Sequence, residues 1–224
     1  MPMPYLRRHE RVFVLNLGEE HEDHTENRLT PDWLRQTEAC LDEVEDYVGP
    51  AALVTTSTGK FYSNGLEPRR FVGPQDEILG YLSEVQKLLA RLLAFPMITI
   101  AAVQGHAFAG GLLLALTHDL RIMRADRGFL CLPEVDLGFP FPTAMAGLIR
   151  GRLPAATAHE AMTTGRRYGG QEALAAGLVD VTASQAELLS AAIQRAEQLA
   201  DKRGPTLAAI KATLYGDILT GLRQ

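Results

Sequence analysis

The sequence predicts an α/β fold that ends in a helical C-terminal region, and two patterns carry this prediction. In the first half of the 224 residues, short apolar runs rich in β-branched side chains alternate with longer segments whose apolar residues recur every three to four positions. This alternation indicates βαβ units with right-handed crossovers. Beyond residue 140 the periodicity is mostly helical, and the chain ends in two helical segments over 185–202 and 206–219.

Three buried strands and two long helices are expected in the first part of the chain. The strands cover 12–17, 51–56 and 98–103, where the sequence is mostly apolar and rich in β-branched residues. Thr30 and Pro31 are typical of a helix start, and this helix is expected to run to residue 48. The second helix, over 75–95, carries leucine, isoleucine and valine at helical spacing and ends before Pro96.

The segment ITIAAVQGHAFAGGLLLAL over 98–116 is the centre of the predicted fold. Its strand ends at Gly105, and Gly110 and Gly111 open a second apolar segment that reads as a buried helix. The first N–H groups of a helix have no intrahelical partner, and glycine lets a ligand lie directly on the backbone. The same glycines would also allow a buried helix to pack closely on a sheet, so this stretch alone does not decide between a ligand site and plain packing.

The rest of the sequence, between 117 and 184, consists of shorter segments, most of which have helical spacing. It predicts strands at 119–123 and 129–132, helices at 143–153, 155–164 and 171–176, and a last strand at 179–180.

Composition excludes several function classes. A net charge of −5 argues against a general nucleic-acid binder, and no apolar run reaches the ~20 residues of a membrane span. The first residues lack the apolar core of a signal peptide, and Cys40 and Cys131 lie far apart, which favours reduced thiols in a cytoplasmic protein. His21 and His24 could hold a metal on a helix, but no helical pattern surrounds them, so no metal site is expected.

Three stretches resemble signatures of the enoyl-CoA hydratase/isomerase family, also called the crotonase superfamily. They are KFYSNGLEP over 60–68, AAVQGHAFAGGLLLALTHDLRI over 101–122, and LPEVDLG over 132–138 followed by GQEALAAGLVD over 170–180. The resemblance implies a core of stacked ββα turns forming a spiral, here residues 1–185. It also implies a C-terminal helical region that builds trimers, here residues 186–224 and shorter than is usual in the family.

The chemistry of a thioester explains two of the signatures. Removal of a proton beside the thioester carbonyl places negative charge on its oxygen, and each preorganised N–H donor aimed there contributes about 3–4 kcal/mol. By resemblance, the donors are the backbone N–H groups of Leu66 and Gly110. The alternative for Leu66 is a plain core residue. The loop residues Ser63, Asn64 and Gly65 are expected, again by resemblance, to contact the substrate.

The acid–base residue implied by the resemblance is Glu134. Hydratases of the family use two glutamates, but Leu113 occupies the position of the first, where it would form part of an apolar wall of the substrate site. One carboxylate against such a wall can move a proton from C2 to C4 of the same substrate, whereas hydration requires acid and base work on a positioned water. Asp136 is a rival carboxylate, because an extended segment would place it on the same side as Glu134.

Three basic residues are expected to bind the CoA part of the substrate. By resemblance, Lys60 and Arg28 lie near the nucleotide, and Lys211 reaches the nucleotide of a neighbouring subunit. Each could instead be an ordinary solvated charge. No cofactor is expected, because CoA belongs to the substrate, and the resemblance implies a homotrimer or hexamer.

The resemblance therefore implies a Δ3,Δ2-enoyl-CoA isomerase, which converts a 3-enoyl-CoA into the 2-trans isomer. Two alternatives stay open at this point. One is an enoyl-CoA hydratase or another reaction of acyl-CoA thioesters. The other is a homologue that binds CoA esters without catalysis.

Overall fold

The computed structural model describes residues 3–224. The strands are β1 (Tyr5–His9), β2 (Val12–Asn16), β3 (Ala52–Thr56), β4 (Phe61–Ser63), β5 (Ile98–Val103), β6 (His106–Phe108), β7 (Leu120–Arg124), β8 (Leu130–Cys131) and β9 (Val181–Ala183). The α-helices are α1 (Pro31–Asp46), α2 (Gln75–Leu93), α3 (Gly110–Leu116), α4 (Glu134–Leu137), α5 (Thr143–Arg152), α6 (Ala155–Thr164), α7 (Gly170–Ala175), α8 (Leu188–Leu199), α9 (Pro205–Leu214) and α10 (Gly216–Leu222).

The main sheet has the strand order β1-β2-β3-β5-β7-β9. Only the β1–β2 hairpin is antiparallel, and the other pairs are parallel. On one face, alternate residues such as Val14, Val54 and Ile100 pack with Leu188 and Ala192 of α8. The residues between them join the larger core with α1 and α2. Burial on both faces explains why the sequences of β2, β3 and β5 are mostly apolar and do not alternate with charged residues.

A second, three-stranded parallel sheet has the order β4-β6-β8. From β3 to β8, successive strands alternate between the two sheets, so that β3-β4-α2, β5-β6-α3 and β7-β8-α4 form three consecutive ββα turns. The predicted α/β class and the spiral of ββα turns are thereby confirmed. The sequence did not predict β4 or β6, because strands of three residues are too short to show a period.

Several element boundaries differ from the expected ones. The first helix ends at Asp46 rather than 48, and the last strand is Val181–Ala183 rather than 179–180. Strand β1 was missed, because its pattern is half-exposed and polar. The C-terminal region is helical as expected: α8 covers the main sheet, and α10 packs on α2 and α5. The division of the chain at residue 185 stays a prediction.

Candidate active site

The three signatures meet at one edge of the small sheet. Because β4, β6 and β8 are parallel neighbours, their carboxyl ends lie side by side. The segment 64–67 follows β4, Ala109 and Gly110 follow β6, and Glu134 follows β8. The Ala109 N–H donates to Cys131 O at 2.9 Å, which joins the end of β6 to the end of β8. Residues separated by 70 positions in sequence therefore form one site.

The N–H of Leu66 is directed into this site by its own peptide group. The carbonyl of Gly65 accepts from Leu29 N at 3.0 Å, and the chain has no cis peptide among its described residues. In a trans peptide the N–H points opposite to the carbonyl, so the Leu66 N–H points away from Leu29. Within residues 3–224 it has no acceptor. The conformation requires glycine at position 65, where φ is +79° and a Cβ would lie 2.6 Å from Phe108 O.

The direction of the Gly110 N–H is likewise fixed by the carbonyl of its own peptide group. The carbonyl of Ala109 accepts from Leu112 N at 2.9 Å and Leu113 N at 3.1 Å, so the Gly110 N–H points out of α3. No acceptor for it occurs in the described part of the chain. A Cβ on Gly110 would lie 3.4 Å from Leu66 N, which shows how closely the two backbones approach. Ala109 has φ +49° and ψ −121°, an unfavourable conformation that costs about 1–3 kcal/mol.

Hydrogen bonds with the segment 26–29 hold the loop before Leu66. Ser63 Oγ donates to Asn27 O at 2.7 Å and accepts from Gly65 N at 3.2 Å, and Asn64 N donates to Glu26 O at 2.8 Å. Ser63 is fully buried. Its hydroxyl therefore shapes the loop, and a direct contact of Ser63, Asn64 or Gly65 with substrate stays a prediction.

Glu134 is a half-buried carboxylate, and one of its oxygens, Oε2, is inaccessible and has no hydrogen-bond partner among the described residues. Burial raises the pKa of Glu134 from 4.5 to about 7, because the charged form is poorly solvated there. A carboxyl group with a pKa near neutrality can both accept and return a proton at physiological pH. Position, burial and pKa thus make Glu134 suitable for proton transfer.

Asp136 differs from Glu134 in both environment and direction. The segment is not extended but forms the helical turn α4, so residues two apart point to different sides. The Asp136 side chain is exposed and faces Gly165, where a Cβ would lie 2.6 Å from Asp136 Oδ2. The extended arrangement, which would have put both carboxylates on one side, is therefore wrong.

Leu113 is buried in the main core with its neighbours Leu112 and Leu114. It lies three residues after Gly110 on α3, so the two share a helix face. This placement agrees with an apolar wall beside the Gly110 amide.

Lys211 contradicts its expected role as a nucleotide ligand. It is buried in this chain, and its Nζ donates to Phe95 O at 3.0 Å, Met97 O at 2.8 Å and Asp119 Oδ2 at 2.6 Å. An ammonium has three hydrogens, so none is left for a phosphate. Lys211 joins α9 to the segments that directly precede β5 and β7 instead.

The other two basic residues differ in availability. Lys60 is exposed at the start of β4, with its Nζ 5.2 Å from the Phe61 ring centroid and no ion pair within residues 3–224. Arg28 is engaged with the loop of Leu66, by hydrogen bonds to the carbonyls of Asn64 and Leu66. Nucleotide binding by Lys60 stays a prediction.

Sequence reasoning missed two polar groups that support the site. Tyr81 Oη accepts from Glu67 N at 2.9 Å and donates to Leu29 O at 2.7 Å, which ties the two sides of the loop together. Tyr62 Oη contacts Thr55 Oγ1 at 2.7 Å, and Thr55 Oγ1 contacts His118 Nε2 at 2.8 Å. Burial lowers the pKa of His118 to about 3, so this histidine is neutral and structural. No local pattern marks such long-range contacts.

Two negative findings apply to the described residues. Residues 3–224 contain no group of three or more His, Cys, Asp or Glu side chains that could hold a metal ion. None of their helices is long and apolar enough to cross a membrane.

Comparison with known proteins identifies the family. The family model described as enoyl-CoA hydratase/isomerase matches residues 12–220. The peroxisomal enoyl-CoA delta isomerase 2 of Arabidopsis thaliana is 34% identical over 86% of this chain and 85% of its own. A probable enoyl-CoA hydratase of Bacillus subtilis is 33% identical over 85% of this chain and 75% of its own.

Solved structures agree with the sequence comparison. The apo structure of an enoyl-CoA isomerase of Mycobacterium tuberculosis superposes with a TM-score of 0.89 at 27% identity, over 98% of this chain and 94% of that one. A match across nearly the whole chain, together with the site at the carboxyl ends of β4, β6 and β8, makes the relationship clear. The chain belongs to the enoyl-CoA hydratase/isomerase family.

Proposed function

We propose that the protein is a Δ3,Δ2-enoyl-CoA isomerase, which moves the double bond of a 3-enoyl-CoA to the 2-trans position. The observation that carries the proposal is the combination of Glu134, whose Oε2 is inaccessible and unpartnered among the described residues, with Leu113 at the position where hydratases of the family have a second glutamate. The Arabidopsis relative, an enoyl-CoA delta isomerase, supports the same reaction.

The mechanism uses one side chain and two backbone groups. The ionised carboxylate of Glu134 takes a proton from C2, and the electron pair of that C–H bond delocalises onto the thioester oxygen. The N–H groups of Leu66 and Gly110 donate hydrogen bonds to this oxygen. The carboxylic acid of Glu134 then protonates C4 as the C2–C3 double bond forms, which returns Glu134 to its ionised state.

The environment of Glu134 suits this shuttle. Because the pKa of Glu134 is about 7, both its acid form and its base form are populated at neutral pH. Because Oε2 is shielded from water and has no hydrogen-bond partner among the described residues, the proton is held on the carboxyl group between the two transfers. Hydration is less favoured, because Leu113 occupies the position where hydratases of the family have a second glutamate. Asp136, the rival carboxylate, is exposed and faces Gly165.

The substrate is a CoA thioester, and no separate cofactor takes part in the proposed reaction. We propose that Lys60 binds a phosphate of the nucleotide, which its exposure and its lack of an ion pair in the described chain support. We propose a homotrimer or hexamer, for which the mass measured by light scattering is the check; a stable monomer would contradict it. The cytoplasmic location stays a prediction.

The experiment that tests the proposal compares two substrates on the same protein. With a 3-enoyl-CoA, the absorbance of a conjugated thioester should rise; with a 2-enoyl-CoA, loss of that absorbance by hydration should be much slower. Hydration as fast as isomerisation would make the protein a hydratase. Binding of both thioesters without turnover would make it a non-catalytic homologue.

The variant Leu113→Glu tests the role assigned to the leucine. If the leucine is what prevents hydration, this variant should gain weak hydratase activity, although a buried carboxylate there can cost several kcal/mol of stability. A folded variant that binds CoA esters and gains no hydration would show that Leu113 is not the barrier.

A further inference from the structure

The guanidinium of Arg28 lies against the loop that presents the Leu66 amide. Its Nη1 donates to Asn64 O at 3.3 Å and to Leu66 O at 2.9 Å. Its Nε donates to Glu26 Oε2 at 2.6 Å, and the side chain is only 24% exposed. One arginine thus contacts the carbonyls on both sides of the Gly65–Leu66 peptide.

These contacts complete the anchoring of three consecutive peptide groups. Arg28 holds the carbonyls of Asn64 and Leu66, and Leu29 N holds the carbonyl of Gly65 between them. Each peptide is planar, so a fixed carbonyl fixes the direction of the N–H in the same group. The Leu66 N–H cannot turn without breaking a bond at Gly65 and straining those on either side.

The loop needs these hydrogen bonds because its own backbone restrains the direction of the Leu66 N–H only weakly. Gly65 is the most freely rotating residue type, and its φ of +79° is one of several conformations open to glycine. A donor contributes most to catalysis when it is already aimed at the developing charge and does not have to reorganise. A charged donor is also stronger than a neutral one, and guanidinium has the geometry to reach two acceptors at once.

We propose that Arg28 is a positioning residue, which holds the Leu66 amide in its direction toward the thioester oxygen instead of binding the CoA nucleotide. The proposal rests on the isomerase function and deepens it. It assigns the positive charge of Arg28 to the thioester end of the substrate site. The segment Glu26–Leu29 then acts as a rigid partner of the loop, with Glu26 orienting the guanidinium.

The test uses Arg28→Met and Arg28→Lys with two substrates, a 3-enoyl-CoA and the corresponding 3-enoyl-pantetheine thioester, which lacks the nucleotide. Arg28→Met should lower kcat by about 10- to 100-fold with both thioesters, a fraction of the ~10²–10³-fold effect of losing one donor altogether. KM should stay within about threefold. Arg28→Lys should recover part of the loss, because it keeps the charge but cannot hold both carbonyls in the same way.

A spectroscopic measurement separates this role from a purely structural one. Hydrogen bonds to the thioester oxygen lower the C=O stretching frequency of a bound 2-enoyl-CoA. In Arg28→Met this frequency should move back toward its value in solution. Because the measurement needs no turnover, it tests the proposal even if the parent protein proves inactive in the isomerase assay, an outcome that would refute the proposed function alone.

Two further variants serve as controls. Arg35→Met removes another arginine, 72% exposed on α1 and paired with Asp32, and should leave kcat and the C=O frequency unchanged. Glu26→Gln removes the carboxylate that orients Arg28, and should shift both quantities in the direction of Arg28→Met by a smaller amount. If Arg28→Met does not fold, kcat and the C=O frequency of Glu26→Gln test the positioning role of Arg28 in its place.

Other results would overturn the proposal. A loss confined to the CoA thioester, expressed in KM and absent with the pantetheine thioester, would make Arg28 a nucleotide ligand. Unchanged kcat and an unchanged C=O frequency in folded Arg28→Met would show that the loop holds its direction without it.

Discussion

Replacement of Glu134 by glutamine is expected to reduce isomerisation of a 3-enoyl-CoA by about 10²–10⁴-fold, the usual effect of losing a positioned base. Glutamine has nearly the same shape but cannot accept the C2 proton. Folding and CoA-ester binding should persist, because no hydrogen bond of the Glu134 side chain to another described residue is lost. The measurement is kcat and KM for the parent and the variant, with circular dichroism as the check of folding.

Asp136→Asn is the matched control for this experiment. It removes a carboxylate two residues away that is exposed and directed toward Gly165. Its activity should stay within about tenfold of the parent. An active Glu134→Gln together with an inactive Asp136→Asn would make Asp136 the base, and full activity in both variants would reject the isomerase mechanism.

The raised pKa of Glu134 adds a dependence on pH. Since the base form is needed to start the reaction, the isomerisation rate should rise with pH through about 7 and then level off. For stability the direction is opposite. The folded protein holds a proton on Glu134 up to about pH 7, whereas the unfolded chain releases it near 4.5. The resulting stabilisation is present below 4.5 and is lost as pH rises through 7.

Thermal unfolding can detect this linkage. The loss on going from pH 4.5 to 8 is on the order of 3 kcal/mol, from the size of the shift. Glu134→Gln removes the titrating group, so its melting temperature should exceed that of the parent by more at pH 8 than at pH 5. A difference independent of pH would show that Glu134 ionises in the folded state as it does in the unfolded chain.

The second large effect is expected from Gly65→Ala. The new Cβ would lie 2.6 Å from Phe108 O, a backbone atom of β6, and φ is +79°, which L side chains rarely adopt. The loop must therefore shift and carry the Leu66 amide with it. Loss of one oxyanion donor lowers kcat by about 10²–10³-fold, and a loss of this size is expected here.

Gly147→Ala provides the control for a glycine replacement as such. Gly147 lies within α5, where a Cβ would meet nothing within 4 Å. This variant should keep full activity and be slightly more stable, since alanine favours the helix. If folded Gly65→Ala kept the activity of Gly147→Ala, the Leu66 amide would have no part in the reaction.

The fold was predictable where burial leaves a long pattern. Strands β2, β3 and β5 are covered on both faces and appear as mostly apolar runs, and α2 shows five turns of helical spacing. Two of the three strands of the small sheet were not predictable, because β4 and β6 have only three residues each, whereas β8 lies within the strand expected over 129–132. Their order depends on contacts between distant segments, which a local pattern does not contain.

The candidate site was predictable where its residues belong to a local sequence pattern. Glu134, Gly110 and the loop of Leu66 belong to motifs that are contiguous in sequence. Arg28 and Lys211 were assigned to the nucleotide by resemblance to the family, yet both donate hydrogen bonds within the chain. The partner of Lys211 is Asp119, 92 residues away, and Arg28 contacts carbonyls 36 and 38 residues away. Such partners become visible only in the folded structure.

The central claim is that one carboxylate carries the proton from C2 to C4. Isomerisation of a protiated 3-enoyl-CoA in D₂O, with the product analysed by mass spectrometry after little conversion, tests it most directly. A shielded Glu134 returns much of the C2 proton to C4, so the product should contain clearly less than one deuterium per molecule. One full deuterium in every product molecule would contradict the account, because the proton would then have come from solvent.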